Sequence, residues 1–267
     1  MSAGALAVDL WSAYAEHAAV LLGSGPSPSV VVGDRSLFVT SGAPHVDLNQ
    51  AVLFGGAGRD EATEIGRLAT VADLPLLLGC SSTIGEDLGE PLGEAGFVHL
   101  QTTERLFWMR GVPPSVAGSS FEVRRMSSPA DIAAMEAMFV EVHDYDPAVT
   151  QALFAGIDPT DDRASCWIAW DADEAVSLAF VTHVRSSLAL WEVMTSPRHR
   201  RRGAARAVTV QGLNAIAQRV GDVDRTLFWS SPAGKPLYDA LGFEIADTVD
   251  VWVRGASAAD LAAVGAG

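Results

Sequence analysis

The sequence predicts an α+β fold of two related domains, each with a mixed, largely antiparallel sheet flanked by helices. Three observations lead to this prediction. Segments with strand and helix patterns alternate through the second half in an order typical of α+β proteins. A set of short motifs recurs in the same order at the end of each half. A segment rich in proline and small residues separates the halves and is typical of a linker.

The linker-like segment reads Gly111-Val-Pro-Pro-Ser-Val-Ala-Gly-Ser119 and combines two adjacent prolines with small residues. Such a composition disfavours both helix and strand. We therefore predict a first domain at residues 1–111, a linker at 112–119 and a second domain at 120–267.

The repeated motifs are Gly-x-Pro-Leu, a Gly-Phe pair and Trp-x-Arg-Gly. They occur at residues 89–111 and again at residues 234–255, with small insertions between them. We interpret the two copies as the ends of duplicated domains. The alternative is a coincidence of common residues, although tryptophan and the Gly-Phe pair are uncommon.

The second half begins with a predicted strand at residues 121–125 and a helix to about residue 142. Ser128 is a favourable cap for that helix and Pro129 fits its first turn. The segments predicted downstream are a short helix at 149–155, strands at 165–170, 175–184 and 188–195 with a turn at 171–173, a helix at 203–220, a strand at 225–229, a helix at 232–241, and paired strands through residue 253.

The first half has weaker patterns. The predicted elements are an amino-terminal helix to Leu22, a hairpin around Gly33-Asp34, a strand at 51–54, a helix at 60–68 and a strand at 75–80. They repeat only the general order of the second half.

Composition limits the class of protein. The 267 residues are 49% hydrophobic and 19% charged, which is typical of a globular chain. No stretch approaches the ~20 apolar residues of a membrane-spanning helix, and the amino terminus lacks the basic start of a secretory signal. We therefore expect a cytoplasmic protein with no membrane partner. Cys80 and Cys166 have no CxxC spacing, so we expect reduced core thiols and no metal site.

The formal net charge of -15 argues against a nucleic-acid partner, because phosphate binding needs a surplus of Lys and Arg. The acidic balance favours a cationic acceptor. The alternative is that an acidic surface only keeps the protein in solution.

The most informative segment runs from residue 188 to residue 206, where a strand leads through Pro197 and a basic loop into a helix. Small residues at Gly203, Ala204 and Ala205 let a phosphate approach the amides of a helix start, whose dipole favours negative charge. The preceding arginines would screen a diphosphate. The alternative is a solvated basic loop.

Arg200-Arg-Arg-Gly-Ala-Ala205 resembles the Arg/Gln-x-x-Gly-x-Gly/Ala signature of the GNAT (GCN5-related) N-acetyltransferases. Further along, Leu237-Tyr-Asp-Ala-Leu-Gly-Phe243 is similar to that family's Leu-Tyr-x-x-x-Gly-Phe element. The two motifs are in the family's order on suitable elements, and the resemblance covers residues 121 to 255. This sequence departs from the family pattern at Ser231, where the family more often has Asn.

The resemblance implies acetyl-CoA as the co-substrate and no metal. It implies that backbone groups of one strand segment pair with the pantetheine arm and that the basic loop holds the pyrophosphate. The resemblance assigns donor binding to Val193, Met194, Thr195, Arg200, Arg201, Arg202, Gly203, Ala204, Ala205 and Ser231.

Two residues receive catalytic roles. Tyr238 lies where the family places a general acid for the departing thiolate, and the alternative is a structural role in the core. Glu192 is our candidate base for the acceptor ammonium, and the alternative is a salt bridge at a strand edge. Cys166 has no adjacent His, so we expect direct attack on the thioester without a covalent enzyme intermediate.

The first half has no Arg-x-x-Gly-x-Gly/Ala element. At the corresponding place Asp60 and Glu61 begin a helix, where their carboxylates would repel phosphate, and the counterpart of Tyr238 is Gly93 or Glu94. We expect a degenerate GNAT-like domain that has lost donor binding. We expect it to support the active half or to shape its acceptor cleft.

The sequence gives weaker signals for the residues that bind the acceptor. Glu141, Asp144 and Asp146 lie where the family's early helices line the acceptor cleft, and the alternative is a solvated turn. The sequence thus predicts an N-acetyltransferase that acts on a primary amine of a small molecule or peptide, as a monomer or homodimer. The alternative is a non-catalytic acyl-CoA-binding or regulatory module.

Overall fold

The structure is a computed structural model that describes residues 2–85, 87–115, 118–154 and 158–256. The helices are α1 (Ala3–Leu21), α2 (Arg59–Ala72), α3 (Gly89–Glu94), α4 (Pro129–His143), α5 (Pro147–Phe154), α6 (Ala204–Val220) and α7 (Lys235–Ala240). The strands are β1 (Ser29–Val32), β2 (Ser36–Thr40), β3 (Asn49–Leu53), β4 (Leu76–Ser81), β5 (Val98–Arg110), β6 (Glu122–Arg125), β7 (Ala164–Asp171), β8 (Glu174–Val184), β9 (Ser187–Thr195), β10 (Arg225–Ser230) and β11 (Glu244–Arg254).

The chain divides into two compact units that are discontinuous in sequence. Among the described residues, unit 1 comprises 2–107, 229–235 and 245–256, and unit 2 comprises 108–228 and 236–244. Each unit combines a mixed, largely antiparallel sheet with helices. The predicted α+β fold class is confirmed.

Unit 2 contains the strand order β10-β9-β8-β7-β6. Strands β6 to β9 pair antiparallel, and β10 is parallel to β9. Helix α6 packs on β6 to β9, and α4 packs on β8 and β9. A side chain at Gly212 of α6 would approach the Trp167 ring of β7 to 3.0 Å, so this glycine lets the helix lie close to the sheet.

The start of α4 matches its prediction. Ser128 Oγ accepts a hydrogen bond from the Asp131 amide over 3.2 Å, and the Asp131 carboxylate accepts the Ser128 amide over 3.0 Å. This reciprocal pair satisfies two amides of the first turn. The next helix, α5, begins two residues before its predicted start, and its predicted end at Ala155 lies outside the described residues.

Unit 1 contains the strand order β1-β2-β3-β4-β11-β5. The predicted hairpin around Gly33 is confirmed as β1 and β2. The predicted amino-terminal helix, second helix and two strands are also present as α1, α2, β3 and β4, with ends shifted by one to four residues. Their core includes Phe38, Ile65 and Leu78, on which Trp252 of β11 packs. Helix α3 and the long strand β5 were not among the predicted elements.

The carboxy-terminal strand corrects a prediction. The sequence predicts paired strands through residue 253, whereas the structure has one continuous strand, β11, which pairs antiparallel with β4 from Val249 to Arg254. Its polar residue Asp247 does not form a turn. The Asp247 carboxylate is buried and accepts hydrogen bonds from Trp11 Nε1, over 2.7 Å, and from Ser81 and Ser82. The strand continues because these donors satisfy the carboxylate.

The repeated Gly-Phe pair forms the same turn in both copies. Gly96 and Gly242 have positive φ angles of 82° and 85°, a conformation that glycine adopts without strain. The phenylalanine amide after each glycine donates to the carbonyl five residues before it, over 3.0 Å in both turns. This arrangement ends each short helix in the same way.

The shared turn also corrects the alignment of the copies. Counted back from the Gly-Phe pair, Leu92 occupies the position of Tyr238, and neither Gly93 nor Glu94 does. The second copy has one more residue between Gly-x-Pro-Leu and Gly-Phe, which shifts an alignment made from the first motif. Unit 1 thus has a fully buried leucine where unit 2 has a phenol.

Within the part of the chain that the structure describes, no helix has the length and apolar character needed to cross a membrane. Both cysteines are buried free thiols, as the sequence predicts. Burial raises the pKa of Cys80 to about 12 and also raises that of Cys166. Neither thiol is therefore prepared to act as a nucleophile.

Candidate active site

Strand β9 has an open edge. Strand β10 pairs with it only over Ser187, Leu188 and Ala189, whereas β9 continues to Thr195. In the described part of unit 2, the last six residues of β9 pair only with β8. An open strand edge presents backbone donors and acceptors to which an extended ligand can bind.

A β-bulge lies within this open segment. Trp191 pairs with Phe180 and Met194 pairs with Leu178, so that Glu192 and Val193 together oppose one residue of β8. Glu192 has a φ of 48°, which is uncommon for a residue with a side chain. Bulges change the direction in which side chains project and are frequent beside active sites.

The backbone directions along β9 can be read from two hydrogen bonds. The Met194 carbonyl accepts Ser177 Oγ over 2.7 Å, and the Ser196 amide donates to the Val176 carbonyl over 3.0 Å, so both groups face β8. Neighbouring residues of a strand direct their backbone groups to opposite edges. Thr195, which lies between these two residues, is therefore the predicted donor-binding residue whose backbone faces the open edge. Val193 lies in the bulge, where this alternation is interrupted.

Helix α6 begins with uncapped amides. Gly203 is its N-cap, with a φ of 89° and open space on the side where a side chain would project. No side chain of the described residues caps this helix start, and its first turn contains no acidic residue. Ala204 and Ala205 follow, so the first two residues of the helix have only small side chains. An uncapped helix start with small residues is suited to bind an anion.

The three predicted arginines are exposed but differ in their contacts. Arg202 pairs with Asp171 over 2.9 Å, and Arg200 Nε donates to the Thr195 carbonyl over 3.4 Å. Arg201 has a φ of 63°, and no ion pair joins it to another described residue. The loop therefore turns through left-handed conformations at Arg201 and Gly203, which directs successive amides outward.

The loop between β9 and α6 is fixed by ion pairs. Arg198 lies 3.0 Å from the Glu174 carboxylate and 3.5 Å from that of Glu141, which also accepts Ser196 Oγ over 3.0 Å. These contacts hold the segment that joins the open edge of β9 to the start of α6.

The predicted acceptor carboxylates have structural contacts of their own. Glu141 is paired with Arg198, and Asp144 has left-handed backbone geometry at the end of α4. Asp146 caps α5, because its Oδ1 accepts the Ala148 amide over 2.7 Å. Two of the three carboxylates therefore have a partner within the protein, and their role in acceptor binding stays a prediction.

A cavity of about 190 Å³ lies against the first two turns of α6. Gly203, Arg206 and Val210 of the loop and helix line one part of it, and Phe121 lines another. The Arg202 guanidinium lies 5.8 Å from the centre of the Phe121 ring. The cavity thus adjoins the uncapped helix start.

Tyr238 lies in an aromatic cluster. Its side chain is 5% exposed, and its ring centre is 4.3 Å from that of Phe228 and 6.1 Å from that of Phe243. This packing gives the ring a structural role. Ser231 follows β10 as the N-cap of a short 3-10 turn and belongs to unit 1.

His143, the last residue of α4, was not among the predicted site residues. Its Nε2 lies 3.9 Å from the Glu192 carboxylate, and its ring packs beside those of Phe139 and Tyr145. The sequence signal that could have identified it is a histidine at the end of a predicted helix, before an acidic turn. Histidines with only a structural role often occupy such positions. No group of three or more His, Cys, Asp or Glu in the described ranges is placed to hold a metal ion.

The corresponding region of unit 1 is closed. Strand β3 pairs with β4 as far as its last residue, Leu53. The Gly58 amide at the start of α2 donates to the Glu61 carboxylate over 2.9 Å, a contact that lowers the pKa of Glu61. The Gly55 amide donates to Thr83 Oγ1 over 2.9 Å. Protein groups thus occupy the positions that unit 2 leaves open.

Comparison with solved structures gives extensive matches. A GCN5-related N-acetyltransferase from Kribbella flavida matches with a TM-score of 0.65 and 17% identity over 92% of this chain and 96% of that chain. A tandem GNAT protein from the clavulanic acid biosynthesis pathway matches with a TM-score of 0.53 and 16% identity over 96% and 98%. This chain has the tandem GNAT fold.

A further GNAT structure, from Sphaerobacter thermophilus, has a TM-score of 0.57 and 11% identity over 84% of this chain and 81% of that chain. No family model matches the sequence, and no curated protein matches it. The prediction of two GNAT-like domains is confirmed at the level of fold. At these identities the likeness establishes the GNAT fold alone, so the reaction is a matter for proposal.

Proposed function

We propose that unit 2 is an N-acetyltransferase that transfers the acetyl group of acetyl-CoA directly to a primary amine. The proposal is based on three features that follow one another along the chain. They are the open edge of β9, the ion-paired loop after it and the uncapped start of α6. One element can pair with an extended amide-containing arm, and the next can bind a phosphate. Pantetheine and pyrophosphate are joined in this order in CoA.

The donor residues follow from this geometry. Backbone groups of Thr195, at the open edge, and of Val193, in the bulge, would pair with the pantetheine arm. Amides after Gly203, at Ala204 and Ala205, would bind the pyrophosphate. Arg200 and Arg201 would add positive charge. The role of Met194 is reduced in this proposal, since its carbonyl faces β8.

Arg202 and Ser231 have conditional roles in donor binding. Arg202 would contribute only after its guanidinium leaves Asp171, because that ion pair directs it towards the turn between β7 and β8. Ser231, predicted from the family motif, remains a proposed donor contact.

The chemical step requires two proton transfers. The acceptor ammonium must lose a proton before its nitrogen attacks the thioester carbon. The CoA sulfur must gain one as the carbon–sulfur bond breaks, and the second proton that the nitrogen releases as the amide forms balances it. We assign the second transfer to Tyr238 and the first to the region of Glu192. The acceptor is a small molecule or a peptide.

Unit 1 has lost donor binding in this proposal. A carboxylate already fills the start of α2, and β3 has a strand partner on the edge that is open in β9. A leucine replaces the phenol. Its remaining role is to support the active unit or to shape acceptor binding.

The test combines binding with turnover. Acetyl-CoA, longer acyl-CoAs and free CoA are titrated into the protein while its melting temperature is followed, and thiol release is then measured with aminoglycosides, polyamines, amino acids and peptides. A ligand at 100 times its Kd stabilises a protein by about 2.7 kcal/mol. Stabilisation by acetyl-CoA with thiol release on one amine class would support the proposal. No stabilisation by any CoA species would contradict it.

Gly203→Glu supplies the site-specific control, because its carboxylate would occupy the phosphate position. Gly221→Glu is the matched variant at the other end of α6, since Gly221 has a φ of 88°, like the 89° of Gly203, and equally open surroundings. The two glycines differ in ψ, which is 5° at Gly203 and -128° at Gly221, so Gly221→Glu carries the larger backbone strain. Only Gly203→Glu is expected to lose stabilisation by CoA.

The alternative function is a non-catalytic acyl-CoA-binding module. The packing of Tyr238 between Phe228 and Phe243 favours it, because this packing explains the residue without any chemistry. Under this alternative, the protein binds CoA tightly without turnover, and Tyr238→Phe leaves binding unchanged. Under the enzyme proposal, Tyr238→Phe retains binding and lowers kcat by about 100-fold.

A further inference from the structure

The backbone of Glu192 has a conformation that costs free energy. A left-handed φ, 48° at Glu192, strains a residue that has a side chain and persists when the surroundings impose it. Here it coincides with a bulge on the open part of β9. Such strain is concentrated at functional sites, so the direction of the Glu192 side chain requires an explanation.

The Glu192 carboxylate is directed towards His143. The Glu192 Oε2 and His143 Nε2 atoms are 3.9 Å apart, and their side chains are 26% and 30% exposed. The imidazole is thus partly sheltered by the Phe139 and Tyr145 rings but still reached by solvent. A group that exchanges protons with a ligand needs this combination of orientation and access.

The ion pairs beside His143 and Glu192 involve other carboxylates. Arg198, which follows β9, lies against Glu141 and Glu174. Glu141 itself also binds Ser196. The His143–Glu192 pair joins the end of α4 to the bulge.

We infer that His143 is the proton acceptor for the substrate ammonium and that Glu192 is its positioning residue. This inference rests on the proposed acetyl transfer. It changes the role of Glu192 from base to partner of the base. The carboxylate orients the ring and stabilises the imidazolium that forms, as a buried aspartate does for a catalytic histidine.

Proton transfer to His143 precedes the formation of the new bond. The substrate ammonium gives one proton to an imidazole nitrogen of His143, and the free amine then attacks the thioester carbon of acetyl-CoA. The nitrogen–carbon bond forms, the carbon–sulfur bond breaks, and the nitrogen loses its second proton as the amide forms, which balances the proton that the CoA sulfur takes up. CoA leaves as a thiolate that takes a proton to become the thiol, and the imidazolium returns its proton to solvent. No oxidant, metal or further reactant is needed.

The test uses the full chain and the amine that the wild type acetylates fastest. General base catalysis contributes about 10²- to 10⁴-fold, so His143→Ala is expected to lower kcat at least 100-fold with little change in KM for acetyl-CoA. Added imidazole should restore part of the rate by entering the vacated space. His143→Gln should be slow without rescue. His183→Ala, which alters another unit 2 histidine on β8, should keep wild-type kcat with or without imidazole.

A double-mutant cycle separates positioning from packing. Glu192→Gln should lower kcat about 10-fold in the wild type and have almost no further effect in His143→Ala, because it acts through the imidazole. Glu192→Asp should recover part of the rate. Additive losses, absent imidazole rescue, or wild-type kcat in His143→Gln would overturn the inference while the acetyl transfer stands. A wild type that binds acetyl-CoA but acetylates no amine would overturn both.

Discussion

The two units differ most where a parallel strand pair leads into a helix. In unit 1, β3 pairs with β4 to its last residue, and the helix that follows has its first amides capped by Glu61. In unit 2, β10 leaves β9 after three residues, and α6 starts at an uncapped glycine. The same fold therefore has a closed strand edge and a capped helix in unit 1, and an open strand edge and an uncapped helix in unit 2.

Small local changes decide whether this strand edge and helix start are open. A single carboxylate at a helix start both satisfies an amide and repels an anion. Strand β3 ends where its pairing with β4 ends, whereas β9 continues for six residues beyond its pairing with β10 and leaves an edge to which an extended ligand could bind. The sheet and helices form in both units, whether this edge and helix start are open or closed.

The largest expected effect concerns the composition of unit 1. Residues 1–119 expressed alone should show no cooperative unfolding, because unit 1 needs β11. That strand buries Val249, Val251 and Val253 in unit 1, and burial of a valine contributes about 1.5–3 kcal/mol. Their sum is similar to the whole stability of a domain, about 5–15 kcal/mol. Circular dichroism with thermal unfolding measures the effect.

A peptide of residues 244–256 supplies the control for that fragment. Added in excess, it should restore part of the cooperative transition by pairing with β4 and placing Asp247 beside Trp11. Cooperative unfolding of residues 1–119 without the peptide would show that the first half is complete at the linker.

The second prediction concerns a buried carboxyl group in unit 1. Burial and the nearby Asp47 carboxylate raise the pKa of Glu104 from 4.5 to about 7. A raised pKa in the folded state gives stability that is fully present below pH 4.5 and is lost as pH rises through about 7. Glu104→Gln should thus stabilise the protein by up to about 3 kcal/mol at pH 8 and hardly at all at pH 4.5.

Thermal unfolding between pH 4.5 and pH 8 measures this difference. Glu94→Gln is the control for net charge, because it also removes one carboxylate from unit 1 but at an exposed position. Parallel pH profiles for the wild type and Glu104→Gln would contradict the assignment.

The smallest expected effect is at the start of α2. Glu61→Ala should lower stability by about 1 kcal/mol, because the Gly58 amide loses its acceptor. Hydrogen exchange in the first turn of α2 should increase. Glu61→Gln keeps an acceptor oxygen and should restore most of the protection. Glu61→Ala should still not create a second CoA site, since the edge of β3 stays covered. Unchanged exchange would mean that the cap is unimportant.

Much of unit 2 could be predicted from its sequence. The cap at Ser128, the alternating strands and the basic glycine loop are local signals, and the structure forms these elements close to their predicted ends. The position of the uncapped helix start also follows from local sequence, since Gly203 and the two alanines determine it.

Other features depend on contacts that a sequence pattern does not encode. Alternation in β11 indicates a half-buried strand but not that β4 is its partner. The bulge at Glu192 has no glycine or proline to mark it, and its link to His143 joins residues far apart in the chain. Helix α3 contains proline and glycines, which weaken any helix signal.

Calorimetric titration of the full chain with acetyl-CoA tests most directly whether the units differ as described. We predict one binding site per chain, with binding abolished in Gly203→Glu and retained in Gly221→Glu. Two sites per chain, or one site that survives Gly203→Glu, would contradict the assignment of donor binding to the uncapped start of α6.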